Sequence, residues 1–397
     1  MKKLAVFMSH PIQYQVPLLK KMAQSQKMDV HTYFFWNFGV EESYDVEFKV
    51  KIKWDIPILE GYKHTFLKNY SPKPSSSFWG QINPGAIREI FTQKYDAVLI
   101  FGWALFSNWL VVIAALLTRT PIILQAESPL NQELLKQGWK QKIKKIILKQ
   151  FFRAISYFAY IGQENKKFFK SYGISEDKLF FTPYAVNNEK YFKDYAANKK
   201  TKAELREKHS IDPNRPVLLF VGKLFEKKRP WTLLKAYHQL VSENGLAPAP
   251  SLVFVGDGEF KNDMIKYKNE HQLDHVHFVG FKNQLELPEF YLLSDLFVLP
   301  SGVGETWGLV VNEAMCFGLP VVVSHVVGCS YDLVRNSENG YIFELDQISD
   351  LKEKLYNILS AADDVKKFGI KSQEIVKNYS HENDVSTYER ILSQHER

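Results

Sequence analysis

The segment PSGVGETWGLVVNEAMCFG at 300–318 holds the residues of most chemical use in this sequence. A β-rich run ends at Pro300, a glycine-containing loop follows, and a helical pattern begins near Thr306 to Gly308. Such a strand-to-helix turn leaves backbone N–H groups unpaired at the positive end of a helix. Phosphate oxygens are natural occupants of that end. Glu305 stands just before the helix and Glu313 follows after seven intervening residues. From a start at Thr306, Glu313 is about two turns in, roughly on the side of the loop. Two carboxylates beside an anion site suit the holding of ligand hydroxyls rather than of the phosphate. A helix cap with an exposed helical glutamate would account for the same pair without a ligand.

A second segment, FVGKLFEKKRPW at 220–231, also ends a strand in glycine, Gly222, and then supplies Lys223, Lys227, Lys228 and Arg229. Pro230 falls in the first turn of the next helix, where a missing N–H does no harm. Several cations at a strand end can neutralise a pyrophosphate; a solvated basic loop is the plainer alternative. A third segment, VFVGDGEF at 253–260, contains Gly256-Asp257-Gly258, but position 261 is Lys261. The G-x-G-x-x-G fingerprint of dinucleotide sites therefore fails, which speaks against a nicotinamide cofactor.

The elements that must position these segments alternate along the chain. Strands are predicted at 4–9, 29–36, 64–69, 96–101, 121–126, 157–161 and 178–183, with helices at 13–26, 84–94, 105–118, 140–155 and 163–173. The second half repeats the pattern, with strands at 216–222, 251–256, 275–280, 295–300, 320–325 and 340–344 and helices at 230–243, 259–270, 284–293, 307–317 and 349–360. Near-continuous apolar strands separated by helices predict parallel sheets covered on both faces, and so two doubly wound α/β units. The polar, lysine-rich stretch 186–213 marks the boundary, giving domains at 1–190 and 191–375 and a C-terminal helix at 376–397, for which a return to the first domain is one option and the sequence alone does not choose the domain it packs against. Two such units place a cleft at the carboxyl ends of their strands, where ligands bind. The stretch 37–83 is less regular, and SPKPSSS at 71–77 reads as a loop.

Composition limits the choices further. A chain of 397 residues, 45% hydrophobic and 24% charged with 17 prolines and 20 glycines, is an ordinary globular protein rather than a disordered or collagenous one. Cys316 and Cys329 are too few for a disulfide framework or a cysteine-based metal site, and they suit a reducing, cytoplasmic address. The apolar run after Lys3 is too short for a signal peptide, and LVVIAALL at 110–117 is too short to span a bilayer. The net charge of +7 permits anionic partners without choosing among them.

Four segments taken in order, VGKLFEKKRP, VFVGDGEF, VHFVGFKNQLELPEFYLLSDLFVLPS and GETWGLVVNEAMCFGLPVVVSHVVG, cover most of 216–345. As a set this half closely resembles the nucleotide-sugar domain of retaining glycosyltransferases of family 4, the glycosyl transferases group 1, whose E-x7-E spacing Glu305 and Glu313 meet. The resemblance implies two Rossmann-like domains facing across a cleft, the GT-B fold. It implies that Lys223 and Lys228 contact the donor diphosphate, with Lys223 standing where the family usually has arginine; the charge is kept and the bidentate fork lost. By the same resemblance Glu313 binds the ribose hydroxyls and Glu305 faces the transferred sugar. Thr306, Trp307, Gly308 and Leu309 offer backbone donors, the backbone at Phe281 borders the base, and Gly222 and Asp257 stand in the donor-binding segments. Glu305, Lys228 and Lys223 are the implied catalytic set, with no metal and no cofactor beyond the nucleotide diphosphate sugar.

The first half matches less well. Where the family often has a glycine-rich loop this chain has Ser9-His10-Pro11-Ile12-Gln13-Tyr14, and where many members have a histidine it has Gln125-Ala126-Glu127-Ser128. Gln13, Tyr14 and Glu127 are the acceptor-side candidates, while His10 reads as structural. Pro183-Tyr184-Ala185-Val186-Asn187 replaces the family's P-N-G-V-D link and removes its glycine. The implied activity is transfer of a sugar, with retention, to a hydroxyl of a glycan or lipid-linked acceptor of the cell envelope. A nucleotide-sugar 2-epimerase and a non-catalytic sugar-nucleotide binder are the alternatives; nucleic-acid binding finds no accompanying motif.

Ten Lys/Arg and one acid, Glu164, occupy 136–170. Ile143, Ile146, Ile147 and Phe151 fall at helical spacing, with Lys142, Lys145, Lys149 and Arg153 along another face. A helix at 140–155 with this pattern either rests on an anionic membrane surface or packs on the first sheet with a solvated basic face.

Overall fold

The computed structural model describes residues 1–40, 43–45, 50–52, 57–243 and 246–394. The chain divides into two compact units. The first takes the described residues up to Tyr184 and those from Ser380 onward; the second takes Ala185–Tyr379.

The first unit is built on a seven-stranded sheet in the order Lys63–Phe66, Met28–Phe34, Lys2–Met8, Ala97–Phe101, Ile122–Ala126, Tyr157–Tyr160 and Leu179–Phe181. All its pairings are parallel. The strand pleat sorts alternate residues to opposite faces. Ala5 and Phe7 join a core with Leu148, Phe151, Phe152 and Phe168 from helices Trp139–Arg153 and Gln163–Ser171. Leu4, Val6 and Met8 face the other way, against Leu18, Leu19 and Met22 of helix Val16–Ala23 and Tyr388, Ile391 and Leu392 of helix His381–Ser393. The Tyr388 hydroxyl donates to Gln125 Oε1 at 2.6 Å, and Glu389 accepts from Ser25 Oγ at 2.7 Å and Lys27 Nζ at 2.9 Å.

The second unit has a six-stranded sheet in the order Val276–Gly280, Ser251–Val255, Val217–Val221, Leu296–Leu299, Val321–Ser324 and Gly340–Phe343, again wholly parallel. Four of these strands are buried along their whole length, as sheets covered on both faces require. Numbered along the unit, the strand order is 3-2-1-4-5-6, the doubly wound arrangement, and the fold class is the one the alternation predicts.

Two details differ from the sequence reading. The stretch 186–213 is not a bare linker: it forms helices Asn188–Ala197 and Lys202–Lys208, and both belong to the second unit. Thr201 and Glu204 close a reciprocal capping box, a T-x-x-E signal that the lysine-rich composition obscures. Arg206 fastens the second helix by donating to Leu293 O at 2.9 Å and pairing with Asp295, whose Oδ2 also accepts from Val217 N. The second difference is at 307–317, where the helix starts only at Leu309, because Gly308 sits in the left-handed region at φ 96°. Part of the irregular stretch 37–83 lies outside the described residues. No helix among the described residues is long and apolar enough to cross a membrane.

Asp384, beside His381 at 3.3 Å, is held at about pKa 6 by burial, against 3.8 for an ordinary aspartate. The folded chain therefore binds this proton more tightly than the unfolded one. The contribution favours the fold below pH 3.8 and is lost as pH rises through about 6. Asp384→Asn is expected to flatten the dependence of the first unit's urea midpoint on pH across that window. An unchanged slope would show that other groups carry it.

Candidate functional site

In the second unit the strand order reverses between Val217–Val221 and Leu296–Leu299, which pair directly through Leu218 and Leu296. Ligands of doubly wound sheets bind outside the carboxyl ends of the strands at this switch point. The loops leaving those two ends are Gly222–Arg229 and Pro300–Gly308, the segments singled out by their chemistry.

The structure joins them. Gly302 N donates to Lys227 O at 2.8 Å, and the Lys228 ammonium forms a close ion pair with Glu305 Oε2. Both side chains are largely buried, 16% and 11% exposed, so the pair is shielded from bulk water. The stem of Lys228 runs past Gly222: a Cβ there would lie 3.7 Å from its carbons. The glycine loop is pinned from behind by two backbone bonds, Gly328 N to Glu305 O at 3.0 Å and Cys329 N to Trp307 O at 3.1 Å. Trp307 is buried and donates its indole N–H to Asn312 Oδ1 at 2.9 Å. Thr306 and Leu309 stand half-buried on either side of Trp307 and Gly308.

The neighbouring strand ends complete this edge. Leu224 N donates to Asp257 O at 2.9 Å, while the Asp257 carboxylate accepts from Gly258 N at 2.9 Å and pairs with Lys261 at 2.6 Å. Gly256, at φ 141°, allows the two strand ends to approach; a Cβ would fall 1.9 Å from Gly222 O. Phe281 follows strand Val276–Gly280 and is 44% exposed, and Lys223 is half-buried next to Gly222.

Glu313 lies in the second turn of helix Leu309–Cys316, nearer its start than the sequence reading put it. Its two oxygens accept from Tyr291 Oη at 2.6 Å and Tyr191 Oη at 3.1 Å. Burial raises its pKa above the usual carboxylate value, and the two phenols oppose that rise. Tyr291 is fully buried and stacks on Phe317 with centroids 5.3 Å apart. The sequence reading missed both tyrosines. Nothing in local spacing marks them, since they reach Glu313 from helices Leu287–Leu293 and Asn188–Ala197.

In the first unit, Gln13 and Tyr14 follow strand Lys2–Met8, at the corresponding switch point beside Ala97–Phe101. Glu127 follows strand Ile122–Ala126. Burial and then the charge of Glu127 push the Tyr14 phenol well above its ordinary value. Tyr14 meets Tyr184 edge-on, centroids 5.7 Å apart. His10 bonds Ser9 Oγ at 2.9 Å and packs edge-on against Trp36 and Phe38, and burial lowers its basicity, all as a structural histidine would show.

Two doubly wound parallel-sheet units, of seven and six strands, give the chain the GT-B fold. Residues 201–375 match the family described as glycosyl transferases group 1. Among curated relatives, the chain is 30% identical over 205 residues to spore coat protein SA of Bacillus subtilis, covering 48% of this chain and 53% of that one. It is 33% identical over 171 residues to the UDP-Gal:alpha-D-GlcNAc-diphosphoundecaprenol alpha-1,3-galactosyltransferase of Escherichia coli, covering 40% and 43%. The chain thus spans about half the length of the curated relatives it matches. Anabaena HepE, solved in complex with UDP, shares the fold, with a TM-score of 0.74 and 18% identity over 100% of both chains.

Gly256→Ala is expected to destabilise the second unit by about 2–3 kcal/mol, because the methyl group meets backbone that cannot turn aside. Thermal unfolding checks this: a melting temperature equal to wild type would mean the two strand ends are not locked together.

Proposed function

We propose that the chain transfers a sugar from a nucleoside diphosphate sugar to a hydroxyl of a glycan or lipid-linked acceptor, with retention of anomeric configuration and without a metal ion. The buried contact between Lys228 and Glu305 at the switch point is the observation that carries this reading. An ammonium has three donors. One is used by Glu305, and two are left for oxygens of a diphosphate. Lys223 adds a second cation, and the first N–H groups of helix Leu309–Cys316 add oriented dipoles. These groups oppose the negative charge that grows on the β-phosphate as the bond from the anomeric carbon to the phosphate oxygen breaks. The acceptor oxygen forms the new bond on the same face, and its proton passes to the departing phosphate.

Glu313, steadied by Tyr191 and Tyr291, keeps further lone pairs for ribose hydroxyls. Glu305 orients Lys228 and faces the sugar. Phe281 borders the base, and Asp257 braces the lysine loop. Gln13, Tyr14 and Glu127 form the acceptor side of the first unit. The UDP bound to HepE supports a nucleotide donor, and the diphosphoundecaprenol in the name of the Escherichia coli relative supports a lipid-linked acceptor.

A thermal-shift screen of UDP-, GDP- and ADP-sugars finds the donor first; a ligand at 100 times its Kd adds about 2.7 kcal/mol of stability. With that donor, Lys228→Ala and Glu305→Gln are expected to lower transfer roughly 100- to 1,000-fold while the chain stays folded. Near-wild-type transfer in either variant would overturn the assignment, and so would an epimerised free sugar as the sole product.

A further inference from the structure

Helix Trp139–Arg153 buries one side and leaves an unexpected other side in water. Leu148, Phe151 and Phe152 are buried in the core of the first unit. At about 100° per residue, Trp139, Ile143, Ile146 and Ile147 fall on the far side of the helix. They are 68%, 46%, 64% and 47% exposed. Packing on the sheet thus explains Phe151 but none of the isoleucines. Leu134 and Leu135, 68% and 59% exposed, sit in the turn before the helix. That turn is tied to the helix where Glu133 accepts from Gln141 Nε2 and Lys144 Nζ.

Cations bracket this ridge. Lys142, Lys145, Lys149 and Arg153 run along one flank, and Lys140 stands on the other with its ammonium 5.8 Å from the Trp139 ring. Lys136 and Lys144 share the single carboxylate of Glu133, whereas Lys140, Lys142, Lys145 and Lys149 have no acidic partner among the described residues. Nucleic acid would engage the cations and leave the apolar ridge wet. An anionic bilayer answers both, since its headgroups take the ammonium groups and its acyl boundary takes the aliphatic side chains.

We propose that Trp139–Arg153, with Leu134 and Leu135, is a docking surface for an anionic lipid bilayer, its isoleucines and Trp139 entering the acyl boundary between flanking lysines. This goes beyond the transferase reading and does not depend on it.

The test is cosedimentation of the full chain with phosphatidylglycerol–phosphatidylcholine vesicles and with phosphatidylcholine vesicles at physiological salt. Binding to the anionic vesicles is expected, with a blue shift of tryptophan emission that Trp139→Phe abolishes. The combined variant Lys142→Glu, Lys145→Glu, Lys149→Glu is expected to bind roughly 100-fold more weakly or worse, at about 1 kcal/mol for each cation. The combined variant Ile143→Glu, Ile146→Glu, Ile147→Glu is expected to stay in the supernatant. Melting curves like wild type establish that both remain folded, as exposed positions allow. Wild-type protein that ignores the anionic vesicles overturns the proposal, as does an isoleucine variant that binds as well as wild type. A second copy covering the ridge, seen as a dimer that Ile146→Glu dissociates, also overturns it. No sugar donor enters this assay, so its failure leaves the transferase reading standing.

Discussion

The contact between the Lys228 ammonium and the Glu305 carboxylate is the constraint around which the second unit is arranged. Two charges this deeply buried lose several kcal/mol of hydration each and are tolerable only when closely matched. Matching them requires two loops from adjacent strands to meet within hydrogen-bonding distance. The backbone bond from Gly302 to Lys227, the bonds from Gly328 and Cys329, and the close approach of Gly222 to Gly256 all serve that meeting. A site organised in this way carries a fixed cation whose position does not rely on a flexible lysine stem.

The same logic governs Glu313. A carboxylate that burial would neutralise is kept ready to accept hydrogen bonds by two phenols donating to it. Each phenol is itself placed by packing, Tyr291 against Phe317 and Tyr191 against the same ring at 5.6 Å. The two glutamates of the E-x7-E spacing thus differ in kind. Glu305 is matched by a cation at the mouth of a loop, and Glu313 by neutral donors inside an aromatic wall.

Much of this architecture is legible in the sequence because parallel strands buried on both faces must be apolar nearly throughout. PVLLFVG and DLFVLP can be little else. The loops are legible for a different reason: glycine followed by lysines or glutamate at a strand end is a chemical pattern and needs no tertiary information. The late start of the helix after Gly308 is not, since a left-handed glycine in an apolar run looks like any other glycine. Helices Asn188–Ala197 and Lys202–Lys208 are hidden because their buried residues are few, and polarity there reads as a connection. Tyr191 and Tyr291 belong to the class that no local pattern reveals. Their role exists only once three separate helices have been brought around one carboxylate.

Helix His381–Ser393 supplies Tyr388, Ile391 and Leu392 to a core whose other buried members come from between Leu4 and Phe180. On the ribosome this reverses the common order of events, in which the earlier domain matures first. The second unit is a continuous stretch and can consolidate as soon as it emerges. The first must wait, one flank of its sheet uncovered, until residues 381–393 are made. The nascent chain therefore holds open apolar surface long after its first strands have formed, a natural point of engagement for chaperones.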